Sequence, residues 1–300
     1  ILRKLARGEA PTDPDEQRVA DLFGPAADPA TYVGAARNIR CQVGQRDCFR
    51  DGLIRSGAYL DHIKHIFRQH GLPEDLAYLP HVESSFNPKA YSKFGAAGMW
   101  QFTRSTGKRY MTVGYSVDER RDPIIASHAA ARLLKRNYER LQDWPLAITA
   151  YNHGLNGMLR ARRAEGDYEA IFSNYRSRIF KFASRNFYSE FLAAREGAKN
   201  YRRYFGELEM DPPLVRTQVV LEGYVSLPAL ARALDVGPER LHRLNPALRH
   251  PVVTGQKYIP KGYRLNLPAD ADRDWEQLLA EVSDELFSSE QKHSRFYTVR

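Results

Sequence analysis

"HVESSFNPKAYSKFGAAGMWQF", residues 81–102, sets one glutamate in an otherwise apolar helical pattern and follows it with a loop of Ser, Gly and Ala. Pro73 can open a helix over "PEDLAYLPHVESSF" (73–86), and Pro88 prevents its continuation. Within it Leu76, Leu79, Glu83 and Phe86 recur at spacings of three, four and three, so Glu83 falls on the apolar stripe. Glutamate is seldom buried without a partner, because burial disfavours the charged form and raises the pKa. A carboxyl that keeps its proton near neutral pH meets the requirement for a general acid. The competing reading is a helix-end carboxylate paired with an arginine.

The residues that follow favour chemistry. "GAAG" (95–98) removes side-chain bulk, so that backbone can approach a ligand closely. Ser92 and Gln101 supply neutral hydrogen-bonding groups suited to sugar hydroxyls and acetamido groups, and Trp100 and Phe102 add flat apolar faces. Further on, "AITAYN" leaves the phenol of Tyr151 and the amide of Asn152 at the end of an Ala-rich helix, a poor place for polar groups unless a partner meets them. His153 reads as a helix-end residue.

Around this segment the pattern is helical from about residue 50 to 209, with breaks at Gly or Pro. Gly71 ends "YLDHIKHIFRQHG", and in "WPLAITAYN" Asp143 can cap while Pro145 fits the first turn. Residues 1–49, rich in Pro, Ala and Asp, read as an irregular or short-helical arm. The paired prolines of "MDPPLV" (210–215) mark a linker. Beyond it "TQVVL", "SLPALARAL", "GPERLHRLN" and "YIPKGYRLNLP" give a strand, two short helices and a returning strand, a βααβ module over 214–268. Residues 269–300 read as an amphipathic helix and then a strand-like "FYTVR" that opens a further, truncated module. The fold class is therefore mainly α, with a small α+β module towards the C-terminus.

With 300 residues and 43% hydrophobic content the chain can bury a sizeable core. It has no apolar run of the roughly 20 residues that span a bilayer. Its net charge of +9 is scattered, so it favours an anionic or mixed-charge setting without choosing one. No helix gathers Arg and Lys on one face with aromatics between them, which argues against nucleic acid. His62, His65 and His81 stand in no recognised ligand motif, and no metal or other cofactor is expected. Cys41 and Cys48 flank "QVGQRD", which reads as a turn that a disulfide could close.

"ESSFNPKAYSKFGAAGMWQF", "DERRDPIIASHAAARLLKRNY" and "LAITAYNHG", in that order, resemble the soluble lytic transglycosylase domain, a goose-type-lysozyme-like fold, most closely of the membrane-bound lytic transglycosylase D type. Residues 214–268 resemble a degenerate LysM carbohydrate-binding domain that lacks the usual Gly-Asp-Thr turn. The resemblance implies that Glu83 is the sole catalytic acid and base, and that Ser92, Gly98, Met99, Gln101 and Phe102 line the substrate loop. It also implies that Tyr151 and Asn152 face the acid across the cleft. It further implies cleavage of peptidoglycan without water, giving 1,6-anhydro ends. A monomer in the periplasm or cell envelope, associated with the membrane or with cell-wall machinery, fits that substrate. The alternatives are a hydrolytic lysozyme and an inactive peptidoglycan binder. Where many relatives have a "Glu-Thr-Arg-Asn-Tyr" motif this chain has "ASRNF", so Ala183 stands in place of the acid, and Glu190 does not replace it in the motif.

Overall fold

The computed structural model of the protein describes residues 1–39, 45–281 and 286–292. Residues 1–47 form one compact unit and residues 48–300 a second. In the first, helices Pro14–Phe23 and Pro29–Asn38 each begin with proline, and the side chains of Asp13 and Asp28 accept N–H groups of the opening turn. This arm is helical and not irregular. Cys41 lies outside the described residues, and the disulfide expectation with it. Gln45, Arg46 and Asp47, expected in a turn, instead begin helix Gln45–Ser56.

In the second unit the expected helix over 73–86 is two pieces, a 3-10 helix Glu74–Tyr78 and a short α-helix Pro80–Ser84. Pro80 has no N–H to continue the ladder, so the chain restarts there with proline in the first turn. Ser85 and Phe86 then adopt positive φ values of 51° and 55°. Arg55 supports that strained turn by donating from Nε and Nη2 to the Ser85 carbonyl at 3.0 and 2.8 Å. The turn folds Phe86 into a core with Leu76, Leu79, Phe67 and Trp100. The apolar stripe is real although the helix is broken.

Helix Pro123–Leu141 runs through this core with an Ala-rich face, and Ala126, Ala129, Ala130 and Ala131 are fully buried. Small side chains let helices Leu60–Gln69 and Trp144–His153 approach it closely. Trp100 is pinned by stacking on Phe67 and by donating from Nε1 to Ser127 Oγ at 2.8 Å.

Strand Arg216–Val220 pairs antiparallel with Arg264–Pro268, Gln218 standing opposite Asn266, and helices Leu227–Ala233 and Pro238–Leu244 lie between them in sequence. Buried Asn245 donates to the carbonyls of Leu241 and Asn266 and accepts from the Asn266 amide, tying the second helix to the returning strand. Two elements lie outside the expected βααβ order: helix His250–Val253, and strand Tyr224–Val225 paired with Phe287–Ser288. Trp275, in helix Trp275–Glu281, is also buried in this module's core. "FYTVR" lies outside the described residues.

The linker and the module are fastened to the helical domain. Asp211 and Leu214 donate backbone N–H groups to Ile54 and Ala58. A Cβ on Gly57 would stand 2.4 Å from the Asp211 carbonyl, so glycine is what admits the linker. Asp122 caps helix Pro123–Leu141 through Oδ1, and its Oδ2 accepts from Arg216 at 3.2 Å. Val117 bridges to Leu248 and is buried in the module's own core.

Candidate active site

Glu83 sits in the last turn of Pro80–Ser84, partly buried, beside helix Phe182–Lys199. Burial, and then the nearby Glu190 carboxyl, push its pKa up to about 8. Among the described residues no arginine or lysine forms an ion pair with it, and Arg55, at the end of helix Gln45–Ser56, serves the carbonyl of nearby Ser85. The paired-carboxylate reading is therefore not the arrangement found. Glu190 is itself partly buried, which raises its pKa too. Sequence reasoning set Glu190 aside because it does not align with the family's acid; one helix face brings it near Glu83 regardless.

Tyr151 occupies the last turn of helix Trp144–His153, at the helix end where the sequence places it. Its hydroxyl donates to the Trp100 carbonyl at 2.8 Å, and its ring stands 6.1 Å from Phe102, edge to face. Burial and the neighbouring Glu83 push its pKa well up, so the phenol stays neutral. With its proton committed, the phenol oxygen offers only acceptor lone pairs to the cleft.

Asn152 is exposed, and its Oδ1 accepts from Ser184 Oγ at 2.8 Å. That bond turns the amide so that its two N–H donors point away from Ser184. Ser184 is nearly buried at 8% exposure and comes from the helix that carries Glu190. It escaped sequence reasoning, and its only signal is a hydroxyl inside the "ASRNF" motif. His153 ends its helix and packs edge to face on Phe180, a structural role.

The loop after Glu83 is held from both ends. Ser84 Oγ donates to the Met99 carbonyl at 2.7 Å. Ser92 Oγ accepts from the Phe94 and Ala96 amides, which leaves its own proton to be donated. Gln101 has a positive φ of 46° and donates to the Gly98 carbonyl at 2.8 Å. Gly98 also has positive φ, and a Cβ there would meet the Arg120 carbonyl at 1.8 Å. Only glycine fits that crossing.

Two expected substrate contacts are corrected. Met99 is 1% and Phe102 2% exposed, so both side chains belong to the core. The Phe102 carbonyl is likewise occupied, accepting from Ala97 N at 3.0 Å and Arg120 Nη1 at 3.0 Å. Trp100 is fully buried as well. The resemblance marked Met99 and Phe102, and flat apolar rings marked Trp100 and Phe102, but neither signal tells a core face from a cleft face.

Arg120 is the residue that sequence reasoning missed most completely. It is 2% exposed, bonded to both oxygens of buried Asp118 at 2.8 and 2.7 Å, and donates to the Gly95 and Phe102 carbonyls across the loop. Asp118 is in turn tied to the β module, its N–H reaching the Ala247 carbonyl at 2.8 Å. Within "DERRDP" Asp118, Arg120 and Asp122 are buried, and Arg120 braces the loop that carries Gly95 and Phe102.

Comparison with known proteins agrees with this architecture. Residues 63–172 match the family model "Transglycosylase SLT domain", and residues 216–284 match "Lytic transglycosylase MltD, LysM-like domain". The chain therefore carries a lysozyme-like SLT domain followed by an MltD-type LysM-like domain. It is 28% identical over 265 residues to membrane-bound lytic murein transglycosylase D of Escherichia coli (strain K12), a match covering 83% of this chain and 56% of that protein. It is 33% identical over 111 residues to membrane-bound lytic murein transglycosylase F of Yersinia pestis (strain Pestoides F), covering 33% and 22% respectively. In its two matched domains and their order the chain is similar to lytic transglycosylases of the D type. It spans a little over half the length of that relative.

Proposed function

We propose that the protein is a peptidoglycan lytic transglycosylase of the cell envelope, cleaving the β-1,4 bond between N-acetylmuramic acid and N-acetylglucosamine without water. The observation that supports this reading is Glu83, partly buried with no cationic partner among the described residues, where burial pushes its pKa up to about 8. Glu83 gives its proton to the glycosidic oxygen as the C1–O bond breaks. The sugar's own 2-acetamido group stabilises the cationic carbon, its carbonyl oriented by the Asn152 N–H groups and its N–H accepted by the Tyr151 oxygen. Glu83, now a carboxylate, removes the proton of the 6-hydroxyl, whose oxygen closes onto C1. The product is the 1,6-anhydro ring, and Glu83 is protonated again. Ser92 and Gln101 would contact the flanking sugars.

One observation favours a hydrolytic reading instead, namely that Glu190 gives the site a second carboxyl. Glycosidases that use water work with two, about 5–9.5 Å apart. Mass spectrometry of muropeptides after digestion separates the two. Anhydro ends support the transglycosylase, reducing ends would show a lysozyme, and no release would show a binder.

A further inference from the structure

A cavity of about 750 Å³ opens where the helical domain meets the β module. Lys89, Arg121, Arg216, Arg240, Arg243 and His242 all line it, and no Asp or Glu does. The nearby carboxylate of Asp122 is already committed, capping a helix with one oxygen and holding Arg216 with the other. Among the described residues the side chains of Lys89, Arg121, Arg240 and Arg243 enter no ion pair and no hydrogen bond. Cations gathered around one concavity focus a positive potential into it, which favours an anion.

The ligand's chemistry follows from the rest of the lining. Tyr59, Pro88 and Pro246 add apolar lining beside the cations, which suits a short chain with aliphatic parts and several carboxylates better than a bare anion. Arginines take carboxylates with paired N–H bonds. The volume is that of a small-molecule pocket and accommodates a few linked residues. Pro88 and Lys89 belong to the segment that runs from Glu83 to Ser92, so one wall of the cavity and the proposed substrate loop are parts of the same stretch of chain.

We propose that this seam cavity binds the carboxylate-rich peptide that substitutes the glycan strand, so that the LysM-like module and the helical domain together select peptide-bearing peptidoglycan. This rests on the function proposed above. Arg240 and Arg243 lie exposed on helix Pro238–Leu244, away from the catalytic residues, and can be reversed in charge without opening a core.

Calorimetric titration of the intact chain with a free, acidic peptidoglycan tetrapeptide tests the idea, with inorganic phosphate as the second probe. The expected result is saturable peptide binding, weakened at least tenfold in R240E/R243E and unchanged in Glu83→Gln. Turnover of peptide-free glycan should be the same in R240E/R243E and the wild type, while KM for peptide-bearing glycan rises in the variant. No peptide binding, equal affinity in R240E/R243E, or phosphate binding as tightly as the peptide would each overturn the proposal. If anhydro products still form in those cases, the seam reading fails alone; if peptide binds but no anhydro ends appear, only the catalytic reading fails.

Discussion

Asp118 and Glu83 are two carboxyls withdrawn from water within one compact unit, and their surroundings are opposite. Asp118 is 4% exposed and meets both arms of a guanidinium that braces the substrate loop. Glu83 meets no cation among the described residues; its electrostatic neighbours are a second carboxyl and a neutral phenol. A charge that is matched builds structure. A proton that is held because ionisation would be costly is available for chemistry.

The contrast predicts different responses to removing each group. Glu83→Gln should have the largest effect, lowering muropeptide release by about 10²–10⁴-fold while leaving the fold intact, as general acid–base groups commonly do. Retained turnover would move the acid elsewhere. Next, Arg120→Ala leaves Asp118 buried without its partner and should cost about 3–5 kcal/mol in denaturant unfolding. A loss under about 1 kcal/mol would show that the pair is dispensable.

Glu83→Gln should also stabilise the protein. The folded-state pKa is raised, so the folded form holds a proton that the unfolded chain releases above its ordinary value near 4.5, and stability falls as pH rises from there towards 8. At pH 7, roughly 2.5 units above the ordinary value, that penalty is about 3 kcal/mol at 1.36 kcal/mol per unit. The glutamine variant should therefore melt higher than wild type at pH 7 and equally at pH 4. The smallest effect concerns Glu190, whose influence on Glu83 is secondary to burial. Glu190→Gln should move the alkaline fall of the pH–rate profile to lower pH by less than one unit, and an unmoved profile would uncouple the two carboxyls.

What the sequence disclosed has a physical pattern of its own. Glu83 was legible because a carboxyl on an apolar stripe is anomalous wherever the helix breaks, and Leu76, Leu79 and Phe86 are indeed buried on that stripe. Tyr151 and Asn152 were legible from polar groups ending an Ala-rich helix, and the βααβ order from alternating strand and helix patterns. The break at Pro80 was missed because the stripe's period carries through it. Arg120 and Ser184 were missed, and Glu190 set aside, because their meaning lies in partners distant along the chain: Arg120 acts on carbonyls 25 and 18 residues away, and Ser184 on an amide 32 residues away. Local pattern marks a residue that is out of place. It cannot show what folding brings opposite it.

The most direct measurement is an NMR titration of the Glu83 side-chain carboxyl in protein labelled at glutamate, with Glu83→Gln to assign the resonance. The account predicts a midpoint near 8, with the proton still present at neutral pH. A midpoint near the ordinary glutamate value of about 4.3 would mean an ionised, solvated carboxylate at neutral pH and would contradict the role of position 83 as proton donor.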